Sequence, residues 1–147
     1  MLLAPVQPRG IFGLSWSGLR TLAGVLFRWA FWRRPNRPSA ARFRYGIYNC
    51  LAPDEQRALY PSFVEESGRA TVEALLLGAR VDASRVRCPV FVAGGAEDRA
   101  TPPRIARAIA ARYRGTYREY ARTSHWMITE PAIEQIIADA LVVASAA

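Results

Sequence analysis

The sequence predicts an α/β protein: the C-terminal strands of a parallel sheet with flanking helices, plus a helical insertion. Three observations support this fold class. Pro89 to Ala93 is a continuous apolar run that stops at Gly94-Gly95, which is typical of a strand buried on both faces of a parallel sheet. After residue 81, strand-like and helical patterns alternate with short connections, as in βαβ units. Residues 11–80 instead show helical periodicity interrupted by prolines.

The N-terminal elements begin with a short apolar run, Leu2 to Val6, which predicts a buried strand followed by a loop. A helical pattern then runs from Leu19 to Arg33, with Ser17 as its N-cap and Pro35 beyond its end. A second helix is expected to open at Pro53, where two acidic residues suit the positive end of the helix dipole.

Pro61 interrupts that helix, and a third is expected over residues 63–77 with Gly78 as its C-cap. The C-terminal elements follow in alternation. A helix is predicted from Pro102 or Pro103 to Arg112, a strand over Tyr117 to Tyr120, and a final helix from Pro131. The apolar positions of that final helix predict a core stripe of Ile133, Ile136, Ile137, Ala140 and Leu141.

The composition fits one globular domain. The chain has 147 residues, of which 51% are hydrophobic, 11% aromatic and 22% charged. This apolar fraction excludes intrinsic disorder, and two cysteines are too few for a disulfide-rich miniprotein. Cys50 and Cys88 have neither a CxxC spacing nor a histidine pair nearby. We therefore expect buried free thiols, no metal site and no organic cofactor.

The charge balance is strongly basic, with a net charge of +8. All twenty basic residues are arginine, and their clustering indicates an electropositive surface. No zinc-finger, RNP-type or helix-turn-helix pattern accompanies them, so we expect no nucleic-acid partner.

Targeting and membrane signals are weak. Met1 to Val6 lacks the basic region and the cleavage site of a secretory signal, which favours a cytoplasmic setting. The most apolar stretch, Leu19 to Trp32, contains two arginines and is too short to cross a bilayer, so we expect no stable membrane anchor. One alternative is attachment to a membrane surface through Phe27 to Arg34, which resembles an interfacial helix.

Two candidate catalytic residues lie in loops after predicted strands. Asp98 ends the segment Gly94-Gly95-Ala96-Glu97-Asp98, and His125 lies in Thr123-Ser124-His125-Trp126. Loops at the carboxyl ends of parallel strands are where such sheets place reactive groups. In these motifs and their order the chain resembles the C-terminal half of the α/β-hydrolase fold family, most specifically from Cys88 to Ala138. The resemblance implies a partial hydrolase core over residues 1–10 and 81–147, with a helical cap or lid inserted at 11–80.

The same resemblance implies a serine esterase-like or lipase-like mechanism. His125 would act as general base and then general acid, and Asp98 would accept a hydrogen bond from its far ring nitrogen. Glu97 is the alternative acid, since it neighbours Asp98 in the sequence. The implied reaction is carboxylic-ester hydrolysis through an acyl-enzyme, with a small-molecule ester or acyl compound as substrate.

The nucleophile elbow of such enzymes, G-x-S-x-G, does not occur in the sequence. The nearest segment, Gly13 to Gly18, offers Ser15 as a candidate nucleophile, but no adequate strand precedes it, and the alternative is a loop entering a helix. The oxyanion hole is also missing, because the family builds it from the part that would precede Met1. We therefore expect the second half of an enzyme, inactive by itself. The alternative is a non-catalytic truncated remnant or interaction module that pairs, or self-associates, through an exposed sheet edge.

Overall fold

The computed structural model describes residues 1–146 as a mixed α/β structure with a three-stranded parallel sheet and six α-helices. The strands are β1 Leu2–Leu3, β2 Pro35–Asn36, β3 Glu66–Ser67, β4 Phe91–Gly95 and β5 Thr116–Tyr120. The helices are α1 Trp16–Leu26, α2 Ala40–Gly46, α3 Pro53–Leu59, α4 Gly68–Val72, α5 Pro103–Arg112 and α6 Ile133–Ser145. Within residues 1–146, no helix combines the length and the hydropathy that crossing a bilayer requires.

The parallel sheet has β4 at its centre, between β1 and β5. Leu2 is in register with Val92, and Gly95 is in register with Tyr120. Every residue of β4 is buried, which confirms the prediction of a strand covered on both faces. The carboxyl ends of the three strands consequently meet at one edge of the sheet.

Helices α5 and α6 cover opposite faces of this sheet. Ile105 and Ile109 of α5 pack with Val92 on one face. On the other face, Ile136 of α6 packs with Phe91. The predicted core stripe of α6 is confirmed at Ile136 and Ala140, which both pack on this face of the sheet, and is wrong at Ile137 and Leu141. Ile137 is 47% exposed and Leu141 is 65% exposed.

The start and the end of α1 differ from the sequence prediction. Its N-cap is Ser15, whose hydroxyl accepts a hydrogen bond from Gly18 N at 3.0 Å, and not Ser17. The helix ends at Leu26 with Phe27 as its C-cap, and the following turn contains Ala30 in a left-handed conformation with φ of 56°. Asn36 then fixes the following turn by donating its side-chain amide to two backbone carbonyls, each at 2.7 Å.

The rest of the insertion contains helical turns and one small ladder. Strands β2 and β3 pair antiparallel across the helices α2 and α3, a ladder that no sequence pattern predicted. Helix α3 begins at Pro53 as expected, and Tyr60–Ser62 forms a 3₁₀ turn at Pro61. The third predicted helix begins only at Gly68 and continues beyond α4 as a π-helical turn, Glu73–Leu77, which ends at the predicted C-cap, Gly78, with φ of 62°.

An aromatic cluster joins the insertion to the C-terminal part of the chain. The rings of Phe43 and Phe63 lie 4.5 Å apart, and those of Phe63 and Trp126 lie 4.9 Å apart. Tyr48 is completely buried against the same two phenylalanines. Because Trp126 directly follows His125, this cluster fixes the position of the insertion relative to the candidate site.

Candidate active site

The two residues that the sequence selects lie together in the structure. Asp98 follows β4, His125 follows β5, and the two strands are neighbours in the sheet. Nδ1 of His125 is 2.9 Å from Oδ2 of Asp98. This distance is that of a hydrogen bond in which the ring nitrogen donates to a carboxylate.

The carboxylate of Asp98 is buried, with 4% of the residue exposed. Its Oδ1 accepts hydrogen bonds from the backbone N–H groups of Ala100 at 2.9 Å and Thr101 at 2.8 Å. Its Oδ2 faces both His125 and the hydroxyl of Thr101, which lies 3.0 Å away. The loop thus fixes one oxygen and presents the other to the imidazole.

Thr101 is a site residue that the sequence analysis missed. Its Oγ1 lies 3.1 Å from Nδ1 of His125 and 3.3 Å from the carbonyl of Ala4, which follows β1. Loops from all three strands of the sheet therefore meet at this hydroxyl. The signal in the sequence is a threonine three residues after Asp98, a spacing at which a side chain can close a local turn.

Glu97 does not contact His125. Its side chain is exposed, and its backbone N–H donates to Thr123 O at 3.0 Å. Its own carbonyl accepts from the side chain of Asn49, also at 3.0 Å. Of the two adjacent carboxylates, Asp98 is thus the one that orients the imidazole.

A second buried carboxylate, Glu130, supports the loop that carries His125. The backbone N–H of Ser124 donates to Oε2 of Glu130 at 2.7 Å, and the Ser124 hydroxyl contacts Oε1. Only 1% of Glu130 is exposed, and burial raises the pKa of its carboxyl against the opposing effect of the Ser124 hydrogen bonds.

The Ser124 hydroxyl also lies 2.9 Å from the carbonyl of Ile47 in the insertion. A hydroxyl has one hydrogen, so when it donates to Ile47 it can accept a hydrogen bond from a protonated Glu130. The same Ile47 carbonyl accepts from Trp126 N at 2.9 Å. Both neighbours of His125 are therefore tied to one point of the insertion.

The loop passes very close to β4 at Gly95. A Cβ atom at this position would lie 2.4 Å from Thr123 O and 2.5 Å from Ser124 O. Such contacts are far shorter than van der Waals separation, so only glycine allows the β5 loop to cross the end of β4. The glycine pair that ended the predicted strand thus permits the approach of His125 to Asp98.

His125 lines a cavity of about 240 Å³ between the sheet and the insertion. Its walls are largely apolar, and Leu19, Leu22 and Leu75 contribute to them. One quarter of the His125 side chain is exposed. Asp98 occupies Nδ1, and no protein group within residues 1–146 hydrogen-bonds to Nε2. The imidazole can therefore exchange a proton with a bound molecule at Nε2.

Ser15 lines the same cavity, but its hydroxyl serves α1. It accepts from Gly18 N and lies 3.3 Å from the hydroxyl of Ser17. Among residues 1–146 it makes no hydrogen bond to His125. The prediction of buried thiols is wrong, because Cys50 is only partly buried and Cys88 is exposed. Desolvation raises the pKa of the Cys50 thiol to about 11, which disfavours the thiolate that a nucleophile requires. Within residues 1–146, no cluster of three or more metal-binding side chains occurs.

Comparisons with known proteins do not assign the chain to a family. No protein-family model matches the sequence, and neither curated proteins nor solved structures gave a significant match.

Proposed function

We propose that this chain supplies the acid and the base of a hydrolase of the α/β-hydrolase type, acting on carboxylic esters. One observation carries the proposal. The only histidine of the sequence is hydrogen-bonded through Nδ1 to a buried aspartate, at the carboxyl ends of neighbouring parallel strands and beside an apolar cavity. A structural histidine would not need both a buried carboxylate partner and an unpaired nitrogen at a cavity.

In the proposed reaction, Nε2 of His125 removes the proton of a serine hydroxyl as its oxygen attacks the ester carbonyl. Asp98 holds the Nδ1–H tautomer and stabilises the imidazolium that forms. The imidazolium then gives its proton to the departing alcohol, which leaves an acyl-enzyme. Water attacks the acyl group in the second half of the reaction, again with His125 as the base.

The serine of this mechanism comes, in our proposal, from residues upstream of Met1 or from a second chain. The sequence has no nucleophile elbow, and the hydroxyl of Ser15 is engaged at the start of α1. The same upstream residues or second chain would also supply the two backbone N–H groups that bind the oxyanion. The isolated 147-residue chain is therefore expected to be inactive.

The substrate class follows from the cavity. Leucine side chains from α1 and from the π-helical turn contribute to its walls, and its polar lining residues include His125, Thr101 and Gln7. This arrangement suits an ester whose acyl or alcohol part is apolar.

A fluorophosphonate probe tests the proposal, because it phosphonylates an activated serine with loss of fluoride. We expect no labelling of the 147-residue chain, and labelling of a product extended upstream in frame if that extension encodes a strand and G-x-S-x-G. Labelling of the extended product should disappear in His125→Ala and persist in Glu97→Gln, its matched control. Labelling that does not depend on His125 would contradict the proposed mechanism.

A non-catalytic interaction module is the second candidate, and the edge of the sheet favours it. β1 has only two residues and pairs on one side, while Met1, Leu2 and Val6 are 62%, 39% and 46% exposed. These side chains line an apolar cavity of about 520 Å³. Light scattering tests this second candidate, since a module of this kind should self-associate through the open edge. A stable monomer that melts cooperatively would contradict it.

A further inference from the structure

The first 53 residues carry the whole net charge of the chain. They contain eight arginines and no acidic residue, whereas residues 54–147 contain twelve arginines and twelve acidic residues. The first acidic residue is Asp54. The side chains of this segment alone therefore carry only positive charge, which attracts anionic partners. Glu66 of β3, in register with Asn36, adds one exposed carboxylate beside the segment.

Large aromatic side chains protrude from this segment. Phe27 is 88% exposed and Trp29 is 87% exposed, on either side of Arg28. We call Phe27, Arg28, Trp29, Trp32, Arg33 and Arg34 the aromatic–arginine surface. Aromatic side chains of this size are usually buried on folding, so a group of exposed ones together with like charges indicates a binding surface.

Helix α1 extends this surface. Trp16 is 81% exposed and precedes Phe27 by eleven residues, about three helical turns. The two side chains therefore leave the helix axis in directions that differ by only about 20°. The buried residues of α1, among them Thr21 and Val25, lie on the other side. The side chains of Trp16 and Phe27 therefore lie on one outward stripe of α1 about 16 Å long. Residues 27–34 form a turn and a 3₁₀ segment, so the interfacial helix that the sequence suggested there is wrong.

A polar cavity lies beside the aromatic side chains. It has a volume of about 400 Å³ and is lined by Trp32, Arg33, Arg34, Arg69 and Ser67, among others. The rings of Trp29 and Trp32 lie 6.4 Å apart at its side. Three arginines line this cavity, and one of them, Arg69, pairs with Glu73 at 2.8 Å. The other two, Arg33 and Arg34, have no carboxylate partner within residues 1–146. The cavity offers donors for a phosphate group.

We propose that the aromatic–arginine surface docks reversibly on an anionic phospholipid membrane. Arginines at the cavity bind headgroup phosphates, while Phe27 and Trp29 enter the boundary between headgroups and acyl chains. This partner fits better than nucleic acid, because Phe27 and Trp29 project from a turn and do not line a groove that follows a strand. The proposal does not depend on the hydrolytic function.

Flotation with large unilamellar vesicles tests the docking. We expect the 147-residue chain to bind phosphatidylcholine vesicles that contain about 30% phosphatidylserine, and to dissociate at high salt. It should not bind phosphatidylcholine alone. Vesicles with spin-labelled lipids should quench the tryptophan fluorescence of the wild-type chain, a readout that needs no variant.

Two paired variants locate the surface. Phe27→Ser with Trp29→Ser should lower the partition coefficient at least tenfold, since both apolar anchors are lost. Arg33→Gln with Arg34→Gln should lower it by about 25-fold, at about fivefold for each arginine. The matched control is Leu141→Ser with Val142→Ser, two residues of α6 that are each 65% exposed; this variant should bind as the wild type does.

Several results would overturn the proposal: absence of lipid quenching, equal binding to neutral and anionic vesicles, or unchanged binding in the Phe27 and Trp29 variant. Binding of single-stranded RNA that the same two variants abolish, without binding to vesicles, would also overturn it and assign the surface to nucleic acid. Circular dichroism should show wild-type folding in all three variants, because every substituted side chain is exposed.

Discussion

Asp98→Asn should reverse the tautomer of His125. In the wild type, Nδ1–H donates to the carboxylate at 2.9 Å. A hydrogen bond to a charged group contributes about 1.5–3 kcal/mol, and the lower end applies because a quarter of the His125 side chain is exposed. With a factor of ten for each 1.4 kcal/mol, the Nδ1–H form should exceed the other tautomer by about tenfold.

The structure dictates how the asparagine sits. Oδ1 of Asp98 accepts two backbone N–H groups, from Ala100 and Thr101. Turning the amide so that its NH₂ faces them would leave two buried donors unpaired, at about 1–3 kcal/mol each. The asparagine oxygen therefore takes the place of Oδ1, and its NH₂ faces Nδ1 of His125. The imidazole must then accept at Nδ1 and carry its hydrogen on Nε2, which removes its capacity to act as a base there.

Nitrogen-15 NMR measures this directly, because the chain has one histidine and its two ring nitrogens give unambiguous signals. At about pH 9, where a free imidazole is neutral, the wild type should show the Nδ1–H tautomer and Asp98→Asn the Nε2–H tautomer. Glu97→Gln, which alters the exposed adjacent carboxylate, should leave the wild-type pattern. A wild-type chain that already carries its hydrogen on Nε2 would refute the proposed geometry.

Three further changes probe the surroundings of the pair. Gly95→Ala should lower the free energy of unfolding in urea by about 1–3 kcal/mol, because its Cβ would lie 2.4 Å from Thr123 O. The control, Gly24→Ala, has no atom within 4 Å of its Cβ and should instead stabilise α1 by about 0.5–1 kcal/mol. Equal effects of the two substitutions would contradict the close crossing at Gly95. Because burial raises the pKa of Glu130 in the folded state, its contribution to stability is complete below the unfolded pKa of about 4.3 and declines as pH rises from there to the raised folded value. Glu130→Gln should therefore flatten the dependence of the unfolding free energy on pH in that window, by up to about 1.4 kcal/mol per pH unit, and an unchanged slope would exclude Glu130 as its source. Thr101→Val should lower the free energy of unfolding by about 1 kcal/mol, because the hydroxyl and its hydrogen bonds are lost. The nitrogen-15 signals of His125 should still show the Nδ1–H tautomer. A mixture of tautomers would mean that the Thr101 hydroxyl, and not Asp98, sets the tautomer.

The C-terminal half of the fold was largely predictable. A continuous apolar run identifies β4, and Pro103 with spaced isoleucines identifies α5, because both signals reflect local geometry and burial. The juxtaposition of Asp98 and His125 followed from topology alone, since loops after neighbouring parallel strands meet. Of the two adjacent carboxylates, Asp98 is the one that contacts His125, and its catalytic role stays a prediction.

The insertion was less predictable, because its structure depends on contacts distant in the sequence. Helix α1 ends at Leu26, and Ala30 in the following turn is left-handed although alanine normally favours helix. The pairing of β2 with β3 joins residues about thirty positions apart and leaves no alternating pattern in two-residue strands. Thr101 escaped notice for a similar reason, since its partners Ala4 and His125 are far from it in the chain.

The carbonyl of Ile47 limits which segments could replace residues 11–80. It accepts hydrogen bonds from the residues on both sides of His125. A graft that replaced residues 11–80 by another helical segment would need to return a backbone acceptor to that position. Otherwise the loop after β5 would lose two hydrogen bonds and keep those to Glu130 and its contact with β4. The side chain at position 47 could change in such a replacement, but a main-chain carbonyl would have to stay where that of Ile47 lies.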